Sequence, residues 1–182
     1  MYATLALPNP RTAPAIHSAD ALRKAMQSSA SRICLNPAGL DRVLRYDEAR
    51  ELVEIQAGTA WSTLAAHLSE NHPELGAYGA SGLLPATVGD WVAQNAPAPD
   101  GRPAVCFVEA LTMVTLDAEL KRISRQSNPE LFACAVGGHG LFGVPYSVTL
   151  RTKELVRAAL TATRHRAKKR SEERRVGKEC RL

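Results

Sequence analysis

At 182 residues the chain is sized for one domain, and with 45% hydrophobic residues it can bury a core, which excludes wholesale disorder. No apolar run approaches the roughly 20 residues that cross a bilayer, and Met1 to Arg11 lack a charged region followed by a long apolar run, so no secretory signal is read there and a cytoplasmic setting is expected. The net charge of +5 belongs to one end: residues 164–182 hold nine Lys/Arg and three Asp/Glu, while 1–163 hold fourteen basic and fifteen acidic residues, so no basic face for nucleic acid is expected on the folded part.

In chain order, residues 1–14, with prolines at 8, 10 and 14, read as an irregular lead-in. Ser18 caps an expected helix to Ser29 with Leu22, Ala25 and Met26 on one face. A short strand is expected over Arg32–Leu35 and a turn at Asn36-Pro37-Ala38-Gly39. Arg42–Tyr46 and Leu52–Ala57 then form a hairpin around Asp47–Arg50. Thr59 is expected to cap a helix over 60–71 with Trp61, Leu64, Ala65 and Leu68 inward. Thr87 caps a short helix to Gln94, placing Gly89 and Asp90 in its first turn, and Pro97–Gly101 is a surface turn. Strands are expected over 105–108, 111–116 and 120–124, with Asp117-Ala118-Glu119 at a hairpin tip. Asn128 caps a helix, with Pro129 at its first position, that stops at Gly137-Gly138. Gly143–Arg151 is a strand in which Pro145 must sit at an edge, a bulge or the first residues. The mixed order of elements points to an α+β fold.

The end of the chain reads differently. Arg170–Cys180 resembles the in-frame translation of a DNA-sequencing library adapter. Residues 164–182 are therefore set apart as a sequencing artefact, 153–163 are taken as the start of a truncated segment, and the natural chain is expected to continue. Four cysteines, Cys34, Cys106, Cys134 and Cys180, form no Cys-x-x-Cys pair. No metal site is expected, and Cys106 and Cys134, in apolar segments, read as buried thiols in a reducing compartment.

Two glycine-bearing turns carry the functional reading. The first runs from Gly82 through Pro85-Ala86-Thr87-Val88-Gly89-Asp90 to Asn95-Ala96, and the second from Asn128 through Gly137-Gly138-His139-Gly140 to Gly143-Val144. Glycine permits close backbone approach to a ligand, and a helix start offers N–H donors suited to a diphosphate. Neither turn is a P-loop, since no Gly-Lys-Ser/Thr is present. Gly138-x-Gly140-x-x-Gly143 has dinucleotide spacing, but it follows a helix and precedes a strand, the reverse of what that motif requires. Ordinary turns and caps remain the plain alternative. His139 reads as a solvent-facing loop histidine, His67 as structural or exposed, and nothing brings Asp90 to His139 as an acid–base pair.

Leu40–Leu44 with Val53–Trp61, then Pro85–Ala96, Val108–Thr115 and Asn128–Val148, in this order and spacing, resemble the FAD-binding domain of the vanillyl-alcohol oxidase / p-cresol methylhydroxylase (PCMH-type) family over residues 15–152. The resemblance implies an α+β fold of two small α/β subdomains, about 15–75 and 76–152, incomplete here at both ends, with FAD between them. It implies cofactor contacts, mostly main-chain, at Pro85, Ala86, Thr87, Val88, Gly89, Asp90 and Asn95 on one wall and at Gly138, Gly143 and Val144 on the other. The sequence departs from the family at Asp90, where a second glycine is usual, and in a rather short 97–103 loop. It also lacks an Arg-Gly-Gly loop, since Arg32–Leu35 runs straight into Asn36-Pro37. FAD is therefore expected to be non-covalent. The implied activity of the complete protein is a flavoprotein oxidoreductase acting on a small organic substrate through a C-terminal substrate domain that is missing here. No catalytic residue, no nucleic-acid partner and no membrane partner are named. The alternative is a catalytically inactive flavin-fold remnant serving as a structural or binding domain.

Overall fold

The computed structural model describes residues 16–28, 39–79 and 84–179. The expected strand 32–35, the proposed gap in the Arg-Gly-Gly region, Cys34, Cys180 and the start of the first glycine turn at Gly82-Leu83 lie outside the described residues. The element order is α1 (Ala19–Ser28), β1 (Val43–Asp47), β2 (Leu52–Gln56), α2 (Trp61–His67), a 3-10 turn (Pro73–Leu75) leading into α3 (Gly76–Gly79), and α4 (Val88–Ala93). A second 3-10 turn (Ala104–Cys106), β3 (Val108–Thr115), β4 (Leu120–Ser124), α5 (Pro129–Ala135), β5 (Gly143–Arg151) and α6 (Thr152–Glu179) complete it. The strands make one antiparallel five-stranded sheet in the order β1-β2-β5-β3-β4. Strands from both 15–75 and 76–152 therefore share hydrogen bonds, with Ile55 of β2 opposite Val148 of β5.

Side chains alternate across a sheet, and the two faces hold separate clusters. Val53, Ile55, Val148, Leu150, Leu111, Met113 and Ile123 join Trp61 and Leu64 of α2, Trp91 and Val92 of α4 and Leu155 of α6 in the main core. On the other side Leu22 and Met26 of α1 pack with Leu40, Val114 and Ala118. Aromatic rings link the helices through the main core: Trp61 stacks on Tyr78 at 4.9 Å, meets Trp91 edge-on at 5.0 Å, and Trp91 reaches Phe107 at 5.6 Å. Each such pair adds about 0.5–1.5 kcal/mol beyond area burial.

Several expectations change. The two strands expected over 105–116 are a 3-10 turn followed by one continuous strand. The polar Glu109 inside that run is accommodated because Arg151 Nε reaches its Oε2 at 2.7 Å from the neighbouring strand. Thr59 does not cap α2; the N-cap is Ala60, and the buried Thr59 turns its hydroxyl to the Arg42 carbonyl at 3.5 Å. α2 stops at His67 because the chain turns back, with the His72 N–H on the Leu68 carbonyl at 2.7 Å ahead of Pro73. Asn128 holds the N-cap place of α5 in the left-handed region, φ 54 and ψ 55, without a side-chain cap. Cys134 is exposed and Cys106 half-buried rather than buried, because α5 turns Phe132 inward and Cys134 outward. Pro145 sits in a central strand, yet in a bulge: Ser147 faces Thr112 and Pro145 faces Met113, so Tyr146 is the extra residue. Finally α6 runs on to Glu179, through the residues set apart at the sequence level. Its burial ends at Ala162, and 163–169 are exposed.

Candidate functional site

The head of the sheet and α4 meet in a small cleft. It has a volume of about 120 Å³ and is lined by Ala57, Thr87, Gly89, Asp90, Ala93, Val144 and Pro145. Thr87, Gly89 and Asp90 come from the first glycine turn and Val144 from the second, so the structure does bring the two turns to one place. Ala57, Ala93 and Pro145 were not among the expected cofactor contacts. Their common signal is smallness or rigidity at an element end, which many positions share.

The first turn is held by the chain itself. Thr87 Oγ1 accepts the Asp90 N–H at 3.1 Å, as expected of a cap, and donates to Asp90 Oδ2 at 2.8 Å. The Val88 N–H donates to the Thr59 carbonyl at 3.0 Å and the Gly89 N–H to the Ala57 carbonyl at 2.7 Å. All three first-turn donors of α4 are thus engaged within the protein. Gly89 is buried, and a Cβ there would lie 2.6 Å from the Ala57 carbonyl oxygen. The glycine does allow close approach, but what approaches is Ala57, the residue after strand β2. Pro85 is half-buried and Ala86 exposed on the way into the helix.

The second turn engages the other end of α4. The Gly137 N–H donates to the Val92 carbonyl and the His139 N–H to the Ala93 carbonyl, both at 3.0 Å. Asn95, at φ 47, sits beside this end, where its Oδ1 accepts the Val105 N–H at 2.9 Å. Gly138 abuts the Cys134 carbonyl, and Gly143, at φ 138, abuts the Val114 carbonyl. The His139 side chain is exposed, while the Asp90 carboxylate takes its hydrogen bond from Thr87. His67 is also exposed. Among the described residues no three His, Cys, Asp or Glu side chains gather to hold a metal ion, and no helix is long and apolar enough to cross a membrane.

A family model described as FAD binding domain matches residues 22–124, more than half of the chain. The chain belongs to this PCMH-type FAD-binding family. No curated protein matches it. The match runs from within α1 through the β1–β2 hairpin, the first glycine turn and α4 to the end of the β3–β4 hairpin.

Family membership implies FAD, and the cleft offers a test of fit. Pockets that enclose a ligand of ordinary size have volumes of about 300–1,000 Å³, well above this cleft. A diphosphate at the start of α4 would need N–H donors that are already engaged by Ala57, Thr59 and Thr87. It would also meet the Asp90 carboxylate, which lines the cleft. The described residues therefore do not fit the diphosphate of FAD at α4. What this FAD-binding-domain chain does present there is a mostly small and apolar wall, Ala57, Ala93, Val144 and Pro145.

Proposed function

We propose that the chain forms one wall of a FAD site in a flavin-dependent oxidoreductase that oxidises a small organic substrate. In this reading Thr87, Gly89, Asp90 and Val144 face the cofactor together with Ala57, Ala93 and Pro145. Pro85, Ala86, Val88, Asn95, Gly138 and Gly143 shape the wall from behind or beside it. The diphosphate is held, non-covalently, by residues away from α4, and the substrate pocket by a further domain. The two-subdomain division at about residue 75, with FAD between the halves, and a cytoplasmic setting belong to the same proposal. No side chain in the cleft is given a catalytic role.

The observation that carries this reading is the convergence of the two glycine turns on one cleft in a chain of the FAD-binding family. The test is the absorption spectrum of the purified protein, without and with added FAD. A yellow protein with a flavin absorption spectrum is expected, and a colourless one that takes up no added FAD would refute it. That second outcome would leave the alternative, an inactive flavin-fold domain with a structural or binding role. The internally engaged donors of α4 and the carboxylate of Asp90 speak for it. A nucleic-acid role would require salt-dependent DNA binding that survives removal of 164–182.

A further inference from the structure

We propose that the two glycine turns are a clamp that fixes α4 before any cofactor arrives, and that the first-turn N–H groups of α4 take no part in gripping a diphosphate. A helix of only six residues is marginal alone, and both of its ends present unsatisfied backbone groups. Here both ends are satisfied by neighbouring chain. At the start, Val88, Gly89 and Asp90 donate to Thr59, Ala57 and Thr87. At the finish, the Val92 carbonyl accepts from Gly137 and Asn95, Ala93 from His139, and Trp91 from Ala96, each at 3.0 Å. The glycines serve these contacts. Gly89 lets Ala57 approach, and Gly137 combines φ 84 with a position where a Cβ would lie 3.1 Å from Asn95 Cβ. α4 in turn carries Trp91 and Val92, both fully buried, into the main core. The fold is then complete without FAD, and close backbone approach at these glycines is approach of the chain to itself.

Residue-resolved hydrogen exchange on the full chain, without and with added FAD, tests this directly. The clamp predicts that the Val88 and Gly89 amides exchange as slowly as core-strand amides such as those of Leu111 and Val148 in the absence of FAD. Added FAD should slow them by no more than about twofold beyond what it slows Leu111 and Val148. Fast exchange without FAD, followed by slowing when FAD is added, would overturn it. Flavin retention is read separately in the same samples. FAD bound with 88–89 slowed only in step with Leu111 and Val148 supports both this clamp and the oxidoreductase reading, and no bound flavin with protected amides supports the clamp alone. A second measurement is the melting temperature in FAD-free buffer. Gly89→Ala should lower it by at least several degrees, since about 1 kcal/mol corresponds to about 2–4 °C at this size, and an unchanged value would count against the clamp. If that variant fails to fold, the exchange pattern of the unaltered chain still decides.

Discussion

At Gly143 a side chain has no room. The backbone is at φ 138, and an added Cβ would press on the Val114 carbonyl and come within 2.6 Å of Met113 Cε. Gly143→Ala combines backbone strain with a clash against an adjacent strand, so a loss of about 2–4 kcal/mol is expected in urea unfolding. Asn128 is a milder case: at φ 54 it tolerates glycine, so Asn128→Gly should be nearly neutral, whereas a β-branched Asn128→Val should destabilise by about 1–2 kcal/mol. Among the described charges, Arg102 is highly connected. It reaches Asp100 at 2.7 Å and Glu154 at 2.5 Å, and its guanidinium lies 4.7 Å from the Phe107 ring centre. The Arg102 hydrogen bond holds the Glu154 carboxyl below its ordinary range. A carboxyl with a lowered folded-state pKa stabilises above its unfolded value, about pH 4, and loses that contribution as pH falls through the folded value. Both side chains are partly exposed, so Glu154→Gln should cost at most about 1 kcal/mol at pH 7. Its gap from the unaltered chain should close as urea midpoints are followed down below pH 4. Residue chemistry of this kind was only half legible beforehand. The Thr87 cap was, because a cap and its target lie within one turn. The roles of Gly89 and Gly143 were not, because what they abut, Ala57 and Val114, lies far away in the chain.

At the scale of elements, α6 divides into a packed and a bare part. Leu155, Ala158, Ala159 and Ala162 are buried, and every residue from 163 to 169 is exposed. Leu155→Ala should therefore cost about 2–5 kcal/mol. Ending the chain after residue 163 should leave the urea midpoint nearly unchanged while the helical circular-dichroism signal falls. A large drop in the midpoint would mean that the exposed part has a packing role. The hairpins and helices were largely readable, since alternation in 52–57 and 143–151 and helical spacing in 19–28 are local patterns. Where polarity interrupted a pattern, reading failed: Glu109 split β3 in the sequence, but Arg151 pairs with it across the sheet. Pro145 was correctly limited to a bulge, an edge or a strand start, and its bulge against β3 follows from the missing N–H.

For the molecule as a whole, the sheet order β1-β2-β5-β3-β4 places a C-terminal strand between two early pairs. The helices α2, α4 and α6 then share one aromatic core. Trp91 lies at its centre, fully buried between Trp61 and Phe107. Trp91→Ala should remove about 3–5 kcal/mol, a large part of the stability of a domain this size, and the expected result is a chain largely unfolded at 37 °C by circular dichroism. Family membership was legible in the amino-acid order, because small residues, caps and strand patterns recur at characteristic spacings. The element types followed from the same local rules of periodicity, capping and turn chemistry. Which donors remain free for a ligand could not follow from them. A backbone N–H looks the same in every sequence, and its partner is chosen only when β2, β5 and the 137–143 turn close around α4. That closure brought the two glycine turns to one cleft, and it also engaged the N–H groups that had made the first of them look like a diphosphate site.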